Sequence, residues 1–476
     1  MRKKIISLFL SLCALFALIS CGIQTNESEQ VGGVPLTGKE LKVSVLDKGY
    51  GTEWIKSLAL AYKRETGTVV SIKSSTSLNE QVGIQLTSGE KASDIYFSFT
   101  SQMEWMEWAV SKDIVELDDV VEDSQFRNGN VSKLGIYDGH RYYLPLTYSP
   151  TGIVYNSEYL KELGYSEFPT TWNGLMQLCR DCCDKKLKSS YTGNTVAPFS
   201  WAGGTGDLIY LFRTLWAQCD YEGFNAYFAQ SDIDGITNDS NKSLLVNKNT
   251  EFVFDKIKEL LDPVKGSNGA YYPYYSVNNV TKMDNIEAQT CFLEGDALFI
   301  VTGSWFENEM KEEIEAYSDT EYAFTAIPKI AENNNSNCDI NLPGENFFVS
   351  SNGINNDVEE SKKFLRFILK PENLIKTHNA YESPLCYKYD ETKLNLSEWG
   401  KQIKKVTDEY KGTFGASDSK VFICGALNLN LNSYFTNMAT ASVAGSVDYT
   451  SSTSMLENLY RNQKASWENA VSKVRE

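Results

Sequence analysis

The chain has 476 residues, of which 45 are basic and 62 acidic, giving a formal net charge of −17. This acidic excess repels phosphate backbones and anionic lipids, which disfavours nucleic-acid binding and a polybasic membrane patch. Two histidines are too few for a histidine-rich metal centre. The length and a hydrophobic content of 42% predict two or three domains, or one fold with two lobes, around a sizeable core.

The N-terminus differs from the rest of the sequence. Three cations precede an apolar run at 5–19, which is shorter than the roughly 20 residues that span a bilayer. We therefore predict a signal peptide over 1–20. The run ends at Leu18-Ile19-Ser20-Cys21, which resembles a bacterial lipobox and predicts a lipid on Cys21. An ordinary signal peptide with an incidental cysteine is the alternative.

The residues after this signal are polar. Residues 21–39 are predicted to comprise the lipidated cysteine and a flexible tether. The protein would then be exported and held at the extracytoplasmic face of a membrane in the cell envelope by its lipid anchor.

Eight cysteines remain in the body of the chain, and export would permit disulfides, but spacing does not give their pairing. Cys179, Cys182 and Cys183 form a C-x-x-C-C sequence that is compatible with metal binding or redox chemistry. They fall on the apolar face of a predicted helix, and no second cysteine pair or histidine stands at zinc spacing. We interpret them as small buried hydrophobic residues, and we predict neither a metal nor a cofactor.

The first predicted elements alternate between strand and helix. A strand pattern at 41–46 precedes an amphipathic helix that ends near Gly67. A strand at 69–72, a helix at 79–88 and a strand at 94–99 follow. This alternation predicts an α/β fold with a parallel sheet and helices on its faces.

The later elements are less regular. Two extended segments are predicted at 142–146 and 152–155, and a helix end followed by an apolar strand at 291–302. A short strand at 347–350 and an amphipathic helix at 358–369 come next, and the C-terminal third is mostly helical in pattern.

Several short motifs occur in a characteristic order: Glu65-Thr66-Gly67, Ser93-Asp94-Ile95, Tyr137-Asp138-Gly139, Pro169-Thr170-Thr171-Trp172, Phe292 to Ala297, and Gly303-Ser304-Trp305. Their order resembles family 1 of the extracellular solute-binding proteins of ABC importers, which includes the maltose-binding protein. The resemblance covers most of 40–370, and Ser93 stands where the family usually has proline.

This resemblance implies a two-lobed fold of the periplasmic-binding-protein type, class II, with hinged lobes and a ligand cleft between them. By analogy, the N-lobe comprises 40–146 plus 297–340, and the C-lobe comprises 147–296 plus 341–476. The implied protein is a monomer that binds a small-molecule carbohydrate, presents it to an ABC permease and catalyses no reaction.

A saccharide has apolar ring faces and a rim of hydroxyls, so its site needs aromatic platforms and hydrogen-bonding side chains. In proteins built on parallel sheets, ligands bind at the carboxyl ends of the strands. The loops that begin at Asp47 and Ser98 are therefore the predicted ligand-binding loops. For Trp201 the reasons are the glycine-rich sequence at 203–206 that follows it and the resemblance, and for Tyr434 the resemblance alone, since relatives contribute aromatic residues from these regions. The predicted ligand-binding residues are Asp47, Lys48, Tyr50, Ser98, Phe99, Trp201, Trp305 and Tyr434.

Each of these predictions has an ordinary structural alternative. Trp201 and Trp305 could be core residues, and Asp47 and Lys48 could be solvated loop charges. The function also has alternatives, because some carboxylate pair is inevitable among 62 acids. A secreted carbohydrate-active hydrolase, a sensor or adhesin lipoprotein, and a non-sugar solute remain open, although no nucleophile elbow, phosphate loop or dinucleotide fingerprint is present.

Overall fold

The computed structural model describes residues 34–88, 92–99, 104–228, 239, 242–261, 263–265, 271–273, 275–330, 338–342, 344–413, 433–436 and 451–475. The predicted signal peptide, Cys21 and most of the predicted tether lie outside these residues. Within them, no helix combines the length and the hydropathy that crossing a membrane requires.

The structure alternates strands and helices along most of its length. Its described strands are Glu40–Leu46, Val69–Ser75, Ile95–Ser98, Ile136–Tyr137, His140–Arg141, Leu144–Pro145, Ser149–Asn156, Ala197–Ser200, Pro263–Lys265, Tyr271–Pro273, Ala297–Gly303, Tyr322–Thr325, Cys338–Leu342, Asn346–Val349 and Lys411–Thr413.

The helices pack on the sheets and join their strands. The described α-helices are Glu53–Thr66, Leu78–Thr87, Glu104–Val110, Ser157–Glu162, Trp172–Lys185, Leu208–Cys219, Tyr221–Phe228, Lys242–Leu245, Lys248–Leu261, Asn285–Leu293, Phe306–Glu309, Lys311–Ala316, Val358–Ile368, Pro371–Tyr381, Glu398–Glu409 and Ser452–Arg475, and short 3₁₀ turns cover Asp123–Gln125, Val131–Lys133 and Glu391–Lys393.

The first sheet is built around the N-terminal strands. Glu40–Leu46 pairs in parallel with Val69–Ser75 on one side and with Ile95–Ser98 on the other, because the intervening helices return the chain to the same end of the sheet. The predicted parallel sheet is therefore confirmed. Asn346–Val349 and Leu144–Pro145 extend this sheet with antiparallel pairing.

The second sheet is built around Ser149–Asn156. Ala297–Gly303, Tyr322–Thr325 and Cys338–Leu342 all pair antiparallel with this strand. Ala297–Gly303 is buried along its whole length, as expected for a continuous apolar sequence in a sheet that is covered on both faces.

The strand pairing contradicts part of the predicted lobe division. The segment 297–340 was expected in the N-lobe, but its strand Ala297–Gly303 pairs within the second sheet. The segment 341–476 was expected in the C-lobe, but its strand Asn346–Val349 pairs with Ile95–Ser98 of the first sheet. The prediction was wrong for these strands because pairing partners distant in sequence leave no local pattern.

The helix Trp172–Lys185 begins at Thr171, whose side chain accepts a hydrogen bond from the backbone N–H of Gly174. Cys179 and Cys182 on this helix are buried in the hydrophobic core and carry free thiols, which agrees with the core interpretation. Burial raises the pKa of the Cys182 thiol to about 12, so the reactive thiolate is scarce at neutral pH.

Asp94 connects the first sheet to a distant loop. Its buried carboxylate accepts hydrogen bonds from the backbone N–H of Lys42 at 2.8 Å and of Asn355 at 2.9 Å. It also accepts one from the Asn355 side-chain amide at 2.8 Å. Asp94 therefore holds backbone groups together rather than facing a cavity.

We predict that Asp94→Ala lowers the free energy of unfolding by about 1–3 kcal/mol, because the part-buried backbone N–H groups of Lys42 and Asn355 lose their acceptor. Urea denaturation measures this change. The matched control is Asp319→Ala, an exposed position, which should change stability by less than about 0.5 kcal/mol. Equal stability of the two variants would contradict this role for Asp94.

Candidate ligand cleft

A cavity of about 320 Å³ lies between the two sheets, at the low end of the size range of small-molecule sites. We call the part of the structure built on the first sheet the first lobe, and the part built on the second sheet the second lobe. The first lobe contributes the loop after Glu40–Leu46 and the end of Ile95–Ser98, which are the carboxyl ends of parallel strands. The residues that line it are Lys48, Gly49, Tyr50, Asn79, Phe99, Thr147, Ser149, Thr205, Asp207, Tyr210, Asn285, Thr302, Trp305, Glu309, Gly344 and Glu345.

A second cavity of about 360 Å³ adjoins the first. The two share Lys48, Gly49, Asn285 and Glu309, so we describe them together as the cleft. The second cavity adds Asp47, Gly51, Thr76, Asp284, Ile286 and Asn308. Together they provide room for a ligand larger than a single small group.

Five of the predicted residues line the cleft: Asp47, Lys48, Tyr50, Phe99 and Trp305. Phe99 exposes 43% of its surface, which is unusual for a large apolar side chain. Trp305 is half-buried and its ring meets Tyr210 edge-on, with 5.7 Å between the ring centroids. An aromatic ring from each lobe thus borders the same cavity, the exposed Phe99 and the half-buried Trp305.

The other three predicted residues do not line the cleft. Ser98 is buried and donates a hydrogen bond to the side-chain oxygen of Asn79, so it orients a residue that does line the cavity. Tyr434 is partly buried and packs on the main hydrophobic core.

Trp201 is 0% exposed and belongs to the core, contrary to its predicted position in the cleft. The glycines that follow it suggested a ligand-binding loop, but they serve backbone packing. The N–H of Gly203 donates to the carbonyl of Val280 and that of Gly204 to the carbonyl of Met283, both at 2.8 Å. A side chain at Gly203 would collide with the backbone of Thr281.

Tyr50 joins the lobes at the base of the cleft. Its hydroxyl lies 2.6 Å from the Ser149 hydroxyl and 2.9 Å from that of Ser304, and Ser304 in turn lies 2.7 Å from the Ser383 hydroxyl. Its ring stacks on Tyr381 with centroids 4.1 Å apart. Burial raises the pKa of Tyr50 to about 12, so this group stays neutral.

Sequence reasoning missed three carboxyl groups that line the first cavity: Asp207, Glu309 and Glu345. Burial, followed by the charge of Glu309, raises the pKa of Asp207 and that of Glu345 to about 8. Burial also raises the pKa of Glu309, although its carboxylate accepts hydrogen bonds from the side chains of Gln289 at 2.9 Å and Asn285 at 3.3 Å.

No local sequence pattern identifies these three acids as a group, because they are brought together from separate parts of the chain. Asp207 lies between the glycine-rich residues 203–206 and the helix Leu208–Cys219. This glycine-rich sequence is the one local signal that could have identified it. Glu345 sits at the junction of a strand of the second sheet with a strand of the first, a position that only the topology reveals.

One group among the described residues could offer three ligand atoms to a metal ion: Glu116, Asp118 and His140, all of them exposed. The Nδ1 atom of His140 lies 2.7 Å from a carboxylate oxygen of Asp118. That hydrogen bond, with the charge of Glu116, raises the pKa of His140. None of these three residues lines the cleft.

A family model described as bacterial extracellular solute-binding protein matches residues 48–375. The chain therefore belongs to this family of solute-binding proteins. No curated protein is similar enough in sequence to give a match.

Solved structures of low sequence identity share the two-lobed α/β fold. The GacH receptor of Streptomyces glaucescens GLA.O, studied unliganded and with acarbose, aligns with a TM-score of 0.66 at 15% identity, over 91% of this chain and 98% of that one. RafE in complex with raffinose gives a TM-score of 0.61 at 17% identity, over 90% and 99%. A chitin oligosaccharide binding protein gives 0.62 at 14% identity, over 90% and 99%.

The raised pKa of Glu345 predicts a specific pH dependence. The pKa of this carboxyl group is about 4.3 in the unfolded chain and about 8 in the folded protein. At pH values between these two, the carboxyl group holds a proton in the folded state that it has lost in the unfolded state. This group therefore stabilises the fold at low pH, and its contribution is lost as the pH rises through about 8.

We predict that Glu345→Gln reduces the decline in unfolding free energy between about pH 5 and pH 8, because the amide does not ionise. Urea denaturation across this range measures the slope. Glu398→Gln, at a side chain 83% exposed, is the matched control and should retain the wild-type slope. An unchanged slope in Glu345→Gln would show that this carboxyl group is not strongly perturbed.

Proposed function

We propose that this protein captures an extracellular carbohydrate in the cleft and delivers it to the membrane permease of an ABC importer. The observation that carries the proposal is the meeting of aromatic rings with hydrogen-bonding side chains in a cavity between two lobes. Phe99 comes from the first lobe, and Trp305 and Tyr210 come from the second.

The chemistry of the lining suits a saccharide. Aromatic faces can cover the apolar faces of sugar rings. Asn79 and Asn285 each offer an amide donor and a carbonyl acceptor, and Lys48 offers a further donor. This mixture matches a ligand with apolar faces and a rim of hydroxyls.

The relatives of known structure support the same ligand class. They are described as a complex with raffinose, a chitin oligosaccharide binding protein and a complex with acarbose, and another of them, AcbH, is described as preferring β-D-galactopyranose. At identities of 17% or less these names suggest carbohydrate as a class and do not select one sugar.

The proposal includes export and a lipid anchor. The family is extracellular, and the sequence around Cys21 resembles a lipobox. A lipid on this cysteine would hold the two lobes near a permease, with residues 21–39 as the tether. The protein would work as a monomer and would release its ligand unchanged.

We predict that titration with a panel of mono- and oligosaccharides finds a ligand, and that Phe99→Ala weakens its binding about tenfold by removing an aromatic platform. Isothermal titration calorimetry measures both. Phe252→Ala is the matched control, since Phe252 is 38% exposed but does not line the cleft, and it should bind like the wild type.

Two outcomes would contradict this function. Binding of a peptide, and of no saccharide in the panel, would refute the carbohydrate assignment. Conversion of a bound oligosaccharide into shorter products by the purified protein would favour a hydrolase over a transport protein.

We predict that Cys21→Ala in the full chain abolishes labelling by a radioactive fatty acid and moves the protein from the membrane fraction to the soluble fraction, because the acylated residue is missing. Labelling and fractionation of expressing cells measure this. Cys183→Ala, at a cysteine in the body of the chain, is the control and should remain labelled. Retention of the label in Cys21→Ala would refute the anchor.

A further inference from the structure

The cleft has a strong imbalance between acidic and basic side chains. Among the described residues that line its two cavities, five are acidic and one is basic. The base is Lys48, and the acids are Asp47, Asp207, Asp284, Glu309 and Glu345. A neutral sugar requires hydrogen-bonding groups but no such excess of one sign, so the imbalance needs its own explanation.

Glu345 is the most constrained of these acids. It is only 2% exposed, and its Oε2 atom is buried without a hydrogen-bond partner in the structure. A buried carboxylate oxygen without a donor is costly, and a ligand that supplies a donor removes that cost. Glu345 lines the first cavity, so a ligand in the cleft can reach it.

Asp207 and Glu309 line the same cavity and also favour a cationic ligand. The charge of Glu309 opposes the ionisation of both Asp207 and Glu345, which hold their protons while no cation is near. An ammonium group bound beside them favours their ionised forms, whereas a neutral hydroxyl does not. The carboxylate oxygens of these three residues do not meet as a set of metal ligands in the described structure, which disfavours a single metal ion held by all three.

The aromatic lining is compatible with such a cation. Trp305 and Tyr210 line the same cavity as the three acids, and their faces attract ammonium groups. The cleft thus combines surfaces for sugar rings with acidic side chains at its base.

We propose that the saccharide recognised by this cleft carries at least one protonated amine, which binds among Glu345, Glu309 and Asp207. This inference rests on the proposed carbohydrate-binding function. It selects amino sugars with free amines over their neutral or N-acetylated counterparts.

The test compares matched pairs of sugars by isothermal titration calorimetry with the purified protein. The pairs are glucosamine and glucose, galactosamine and galactose, and glucosamine oligomers and their N-acetylated forms. We expect at least one amine to bind ten times or more tightly than its neutral partner. Equal or tighter binding by the neutral partners would overturn the inference and leave the carbohydrate function standing.

Variants locate the effect. Glu345→Gln should reduce the preference for the amine at least fivefold, and Glu309→Gln is a second variant with the same expectation. Glu398→Gln changes the net charge equally at an exposed site and should keep the preference. A preference that survives both cleft variants would overturn the inference, and thermal unfolding checks that each variant is folded.

A further probe separates this inference from the proposed function. Spermidine carries amines but no sugar ring. If it binds while none of the sugars does, the carbohydrate function fails and the amino-sugar inference fails with it. If only neutral sugars bind, the amino-sugar inference alone fails.

Discussion

Two chain segments pair antiparallel in the second sheet and pair again, after a short gap, in the first sheet. The geometry of the cleft depends on this junction between the sheets. Leu342 pairs with Ser149 in the second sheet, and Asn346 pairs with Pro145 in the first. Between these two pairs, the hydroxyl of Thr147 accepts hydrogen bonds from the backbone N–H groups of Gly344 and Glu345. The connection therefore fixes the register of both sheets, and it delivers Thr147 and Glu345 to the base of the cleft.

Much of the first lobe could be predicted from local patterns. The alternation of strand and helix over 41–99 has the periodicity that sheets and amphipathic helices impose, and the loop at Asp47 to Tyr50 follows from where ligands bind in such sheets. Trp201 shows the limit of this reasoning. Glycines after an aromatic residue can mean close approach to a ligand or to backbone, and only the fold decides between them.

The rest of the site could not be predicted because it is assembled across long distances in sequence. Asp207, Glu309 and Glu345 become neighbours through the crossings between sheets, and those crossings depend on pairings that no window of sequence contains. The same cause explains the misplaced strands Ala297–Gly303 and Asn346–Val349. Local periodicity identifies a strand, but its partner is chosen by the packing of the whole core.

The hydroxyl cluster at Tyr50, Ser149, Ser304 and Ser383 has a consequence for the joint between the lobes. Each of these groups can both donate and accept a hydrogen bond, so the direction of the bonds can reverse without the loss of a contact. The cluster contains no formal charge, and mobile ions screen charged pairs far more than neutral contacts. This part of the joint is therefore indifferent to ionic strength, a useful property for a protein exposed to the salinity of its surroundings.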